Sequence, residues 1–219
     1  MVTPRPGDIM IKQARAVILL AMIAASGSLA AGQAQAQTLA ALPRTLPPAS
    51  DVGDARPIAG WTDFCRRMPA ECAVDVSEPA TIALTPAVWH SIVSVNRRVN
   101  ARLVAITDMD HWGVADRWDI PTDEAGDCED FQLLKRKLLA VAGLPQRAMR
   151  MTVVVDEKNE GHAVMMLRTD RGDLILDNKT DAVLHWFDTG YVFVKRESQD
   201  RMGWTSLGGA VSPIATANR

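Results

Sequence analysis

The chain has 219 residues, 47% of them hydrophobic, and 24 basic side chains balance 26 acidic ones. A formal net charge of −2 without any basic block argues against a nucleic-acid partner. After the first 36 residues no stretch is long and apolar enough to span a bilayer.

Lys12 and Arg15 precede an apolar run over residues 16–25, and small residues follow up to Ala34-Gln35-Ala36. Basic, then apolar, then small is the order of a secretory signal peptide, here residues 1–36 with cleavage after Ala36. The apolar run is much shorter than the roughly 20 residues of a spanning helix, so export with cleavage is expected rather than anchoring. The mature protein is then periplasmic and not membrane-spanning. Residues 37–58, rich in Ala and Pro, read as a flexible leader, residues 59–200 as one domain, and residues 201–219 as a loose tail.

Cys65 and Cys72 bracket the short segment FCRRMPAEC, and in an oxidising compartment they are expected to form a disulfide. Closing so small a loop stabilises by about 2–3 kcal/mol on the chain-entropy model. Cys128 is left without a partner. Residues 85–104 show helical periodicity in Val88, Ile92, Val95, Val99 and Leu103, with Pro86 suited to a first turn. Residues 107–125 hold Asp108, Asp110, Gly113, Asp116, Asp119 and Pro121 and read as a long loop, in which His111, Trp112 and Trp118 either wall a cleft or anchor the surface.

A second helix is expected from GDCEDFQLL, with Asp127 as N-cap and Asp130 as its capping-box acid. Cys128, Phe131, Leu134, Leu138 and Val141 then share the inward face, Lys135, Arg136 and Lys137 face solvent, and Gly143 and Pro145 mark the stop. Strands follow at 149–155, 162–168, 173–177, 182–186 and 191–195, with a tight turn at 169–172. Helices followed by an antiparallel sheet make the fold class α+β.

The turn at 169–172 brings His162 near Asp177 across a hairpin, opposite or one diagonal apart. A helix that starts at Cys128 must pack on that sheet, which yields a Cys128–His162–Asp177 arrangement. A helix N-terminus and an imidazolium lower a thiol pKa, and a carboxylate orients the ring. Such a thiolate attacks an acyl carbon while the imidazolium protonates the leaving amine, and the Cys128 N–H is one donor to the oxyanion. A lone cysteine is more often a small buried hydrophobe, so the weight rests on the combination. His90, His111 and His185 lack such a setting.

The blocks GDCEDF, GHAVMML and LILDN resemble those of the bacterial transglutaminase-like cysteine peptidases, which include the LapG-type periplasmic proteases. VNRRVN, DHWG, DRW and FCRRMPAEC fit the same pattern, so the resemblance spans about residues 61–195. It implies a papain-like, transglutaminase-like core with Cys128 as nucleophile, His162 as general base and Asp177 as orienting acid. In the LapG-type branch, acids flanking the nucleophile bind Ca2+, and these match Asp127 and Glu129, with Asp130, Asp108, Asp110 or Asp116 available to complete the shell. Hard oxygen ligands suit calcium, and its charge offsets carboxylates that would otherwise keep the thiol protonated. The same acids also serve simply to cap the helix. That branch cuts surface adhesins under a membrane receptor, which implies a protein substrate and a receptor as partners, although no receptor surface is legible here. The expected function is an exported cysteine peptidase. Its rivals are a transglutaminase-like acyltransferase, a calcium-dependent binding module with an inactive site, and a purely structural exported domain.

Overall fold

The structure, a computed structural model, describes residues 41–211. The expected signal peptide, residues 37–40 and residues 212–219 lie outside them.

The chain runs through β1 (Gly53–Ala55), α1 (Ala59–Arg67), α2 (Pro69–Cys72), α3 (Pro86–Arg102), β2 (Val104–Ala105), α4 (Asp108–Trp112), β3 (Ala125–Gly126) and α5 (Cys128–Val141). Then come β4 (Met149–Val155), β5 (Gly161–Thr169), β6 (Gly172–Leu176), β7 (Leu184–His185), β8 (Val192–Glu197) and β9 (Trp204–Val211). Seven strands form one antiparallel sheet in the order β1-β9-β8-β4-β5-β6-β7, and β2 pairs with β3 in parallel. The fold is α+β, as the sequence suggests.

α3 begins where Thr85 accepts from the Val88 N–H at 3.2 Å and Pro86 fills the first turn, which needs no N–H. Its Ile92, Val95 and Val99 are buried in the larger core, between the helices and one face of the sheet. Val154, Val164, Met166, Ile175 and Phe193 form a second cluster with Trp186 and Tyr191. Alternate residues of β5 and β6 thus serve two cores, so both strands are apolar almost throughout. Cys65 and Cys72 are disulfide-bonded, tying α1 to α2.

Three expectations need correction. The leader is not loose where it is described. Leu46 N–H donates to Arg171 O at 3.0 Å, Ala49 N–H to the Asp173 carboxylate at 2.7 Å, and β1 pairs with β9. The tail is not loose up to residue 211 either. Trp204 is buried edge-on against Trp61 and Trp118, and that burial pins β9 beside β8. Nor does α5 turn Lys135 and Arg136 to water. It packs against α3, β4 and β5, and both side chains are buried while Val141 is exposed. Arg136 pays for burial with a 2.7 Å ion pair to Glu197 and a 2.9 Å bond to Glu71 O.

Candidate active site

The pairing of β5 with β6 sets Met165 opposite Leu176. Asp177, one residue beyond β6, therefore lies about one diagonal from His162. Their side chains meet: His162 Nε2 and Asp177 Oδ1 are 2.8 Å apart, and both residues are buried. Tyr191 donates its hydroxyl to Asp177 Oδ2 at 2.6 Å, and the Lys179 N–H donates to Oδ1 at 3.0 Å. Burial pushes the Asp177 carboxyl up, but the His162 bond and charge, the Lys179 N–H and the Tyr191 hydroxyl together hold it below its ordinary value. A cavity of about 240 Å³ opens beside this carboxylate, walled by Ile175, Lys179, Leu184 and Tyr191.

Cys128 opens α5 and is half-buried. Its sulfur accepts from the Ala163 N–H at 3.4 Å, so it lies against the backbone of the residue that follows His162. The thiol donates to Glu129 Oε2 at 3.2 Å. Burial first, and then the Glu129 charge, push this thiol well above its ordinary pKa, with the Ala163 N–H opposing. The helix N-terminus alone does not prepare the sulfur to react.

The acids around it form one cluster. Asp108, Asp127 and Asp130 bring carboxylate oxygens within 4.8 Å of one another, as do Asp108, Asp116 and Glu129. Asp127 and Glu129 join at the same limit with the Cys128 sulfur. Burial, then the Asp127 charge, raises Glu129 strongly, and burial pushes Asp130 up to about 8. Asp108 and Asp127 are raised too, again by burial first. Two glycines make room for the cluster. A Cβ on Gly126 would meet Asp130 Oδ2 at 2.5 Å, and one on Gly60 would meet Asp116 Oδ2 at 2.5 Å. Asp127 Oδ1 is buried without a hydrogen-bond partner. Asp108, Glu129 and Asp130 are buried, Asp127 is half-buried and Asp116 is exposed. Mutually repelling, all-oxygen ligands with an orphaned acceptor fit a hard divalent cation such as calcium.

The expected capping box does not form: Asp127 takes the N-cap position without a capping side-chain bond, and Asp130 Oδ1 accepts from the Asp119 N–H at 2.7 Å. Both carboxylates turn to the cluster. Asp110 stays out of it and accepts from Thr107 Oγ1. Of the cleft candidates, Trp118 belongs to the core, whereas Trp112 lines a small pocket with Ile120 and Asp130. Sequence reading missed Tyr191, although it is the sole tyrosine of the chain. It also missed Lys135, whose Nζ donates to Asp177 O at 3.0 Å. Its signal was spacing: seven residues after Cys128, it occupies the same stripe of the helix.

Residues 52–211 match the model of the bacterial transglutaminase-like cysteine proteinase family, BTLCP. The chain belongs to this family. As a BTLCP member it is a cysteine protease. Solved structures similar to it include calcium-bound Legionella pneumophila LapG, at 23% identity and a TM-score of 0.47 over 55% of this chain and 69% of that one. Two further structures of Legionella pneumophila LapG, one of them EGTA-treated, match at 25% identity with TM-scores of 0.46. They cover 54% of this chain and 68% and 67% of theirs. No curated protein matches the chain.

Proposed function

We propose that this BTLCP protease cleaves a protein substrate with Cys128 as nucleophile, His162 as acid–base and Asp177 as the acid that orients it. The observation that carries this reading is the buried 2.8 Å His162–Asp177 bond ending one residue from the amide that touches the Cys128 sulfur. Asp177 engages Nε2, which assigns Nδ1 to proton exchange with the thiol. His162 takes the thiol proton, and the thiolate attacks the scissile carbonyl carbon. Collapse of the adduct breaks the C–N bond, and the imidazolium delivers its proton to the leaving amine. Water, deprotonated by the same ring, then attacks the thioester, which releases the new carboxyl end and returns the proton to sulfur. Asp177 orients the ring throughout and stabilises it whenever it is protonated, with both carboxylate oxygens already engaged. The Cys128 N–H is one oxyanion donor.

Asp127 and Glu129, with Asp108, Asp116 and Asp130, would hold calcium. The bound ion would supply positive charge that offsets the carboxylate field on the thiol. Transfer of the acyl group to an amine instead of water uses the same geometry. Export to the periplasm rests on the order of residues 1–36, and among the described residues no helix is long and apolar enough to cross a membrane. The substrate class is an exported or surface protein, an adhesin among them, and a membrane receptor is the proposed regulator.

The decisive test is selective alkylation. With calcium present, Cys128 should react with iodoacetamide faster than a peptide thiol does at the same pH, and His162→Ala should remove that excess. Reaction no faster than glutathione would end the peptidase reading in favour of a binding module. A survey of new protein N-termini in the cell envelope, wild type against Cys128→Ser, then finds the substrate.

A further inference from the structure

Lys135 is a buried base to which the proposed chemistry gives no task. Its residue is fully buried, and among the described residues no carboxylate pairs with its ammonium within 4.0 Å. Among the described residues its hydrogen bond runs to the backbone carbonyl of Asp177 at 3.0 Å. Burial pushes the ammonium down to about 7, with the carboxylates of Asp177 and Asp181 opposing from a distance. An apolar side chain of the same length would be cheaper in that place.

The geometry gives the lysine a purpose. Seven residues are nearly two turns, so Cys128 and Lys135 lie on one stripe of α5, about 10 Å apart along its axis. Helical side chains lean toward the N-terminus, and Lys135 Nζ reaches back one turn to within 5.9 Å of the Phe131 ring centroid. Beside its apolar packing, α5 therefore makes two hydrogen bonds toward β5 and the end of β6: the Cys128 sulfur with the Ala163 N–H, and Nζ with Asp177 O. The same carbonyl accepts from Asn100 Nδ2 on α3 at 3.0 Å. Asn100 and Asn96, the asparagines of VNRRVN, also bind Thr180 O at 3.0 and 3.3 Å. The strand end that carries Asp177 is thus held from the helix of the nucleophile and from a second helix.

We propose that Lys135 is a positioning residue that ties the helix of Cys128 to the backbone of Asp177, setting the sulfur against the His162 ring. The inference rests on the triad reading above. A hydrogen bond from one rigid element to the main chain of another fixes their offset more narrowly than apolar contact does, and small offsets at reacting atoms carry large rate penalties.

The test measures melting and iodoacetamide alkylation of Cys128 on the full chain with calcium present, for wild type, His162→Ala, Lys135→Met and Lys135→Gln. Lys135→Met keeps the volume and removes the buried charge. The expected result is a midpoint equal to or above wild type with an alkylation rate at least about tenfold lower. Lys135→Gln, which retains an N–H donor, should recover part of the rate without a matching rise in midpoint. Wild-type rates in Lys135→Met would overturn the inference alone. A parallel loss of midpoint and rate, restored together in Lys135→Gln, would assign the lysine to stability only and overturn it as well. If wild type is no faster than His162→Ala, the triad reading falls and takes this inference with it. Should Lys135→Met fail to fold, Lys135→Gln decides, since a wild-type midpoint with a reduced rate supports the inference and any other pairing refutes it.

Discussion

The Asp177 carboxylate and the acid cluster beside Cys128 are built on opposite plans. Asp177 is surrounded by donors: an imidazole, a hydroxyl and a backbone N–H satisfy it and hold its carboxyl below the ordinary range. The acids at 108, 116, 127, 129 and 130 crowd together with only scattered N–H donors, and burial with mutual repulsion raises four of them. One group is electrostatically complete within the protein. The other becomes favourable only when a proton or a cation joins it. On the proposed triad, the difference gives reactivity two separable requirements, a ring held ready by Asp177 and a field around the sulfur that only an outside charge corrects.

That contrast can be broken at either end. The largest effect should come from the complete side, where His162→Ala lowers turnover of the identified substrate by about 10²–10⁴-fold, the range of general acid–base catalysis, as measured by substrate cleavage. Next is the acid cluster, the proposed calcium site. At a hundredfold excess over its dissociation constant, calcium should stabilise the chain by about 2.7 kcal/mol, read from denaturant melts, and Asp127→Ala should abolish most of that gain.

The pH response of the two sides has opposite sign. A carboxyl whose folded pKa is raised contributes a relative stability that is complete below its unfolded value, near about 4, and is lost as pH rises through the folded value. In chelator the melting midpoint should therefore fall across the window from about 4 toward the value of about 8 set for Asp130. Calcium should flatten that fall, and a midpoint that stays level in chelator would remove the acid cluster from the account. The depressed carboxyl of Asp177 behaves in the reverse way: its contribution is present above the ordinary carboxylate range and is lost as pH drops through its folded value.

The smallest expected effect is Tyr191→Phe. Removing a hydroxyl bonded to a charged group costs about 1.5–3 kcal/mol of interaction, and turnover should drop by about tenfold with KM unchanged. An unchanged turnover number would show that Asp177 needs no second support.

Much of this arrangement was readable before any coordinates. β4, β5 and β6 were legible because β-branched and apolar runs end at turn residues, and the turn after β5 fixed the register that joins His162 to Asp177. The disulfide followed from three cysteines and one short loop. What stayed hidden has a common cause, namely polar residues placed by tertiary contact against their usual preference. Lys135 and Arg136 look like a solvated face, and only the packing of α3 and the sheet on both sides of α5 puts them inside. Asp127 and Asp130 have the spacing of a capping box, yet like-charged neighbours brought in by the loop of Asp108 and Asp116 give their carboxylates another role. Glycine in GDCED held a clue of a different kind, since it leaves room for a carboxylate four residues later. The ends were misread because Ala, Pro and Gly carry little periodicity while still supplying backbone groups to a sheet.

The position of β9 bears on how the molecule is made. It sits inside the sheet, between β1 and β8, although it is the last strand of the described chain. The pairing partner of β1 lies about 150 residues further along the chain, so this contact of high sequence separation closes late in folding. Loss of the segment after Gly203 would leave β8 as a bare edge and β1 with nothing to pair with, a state prone to self-association. The sheet that carries His162 is thus completed by a pairing between the first and last described strands.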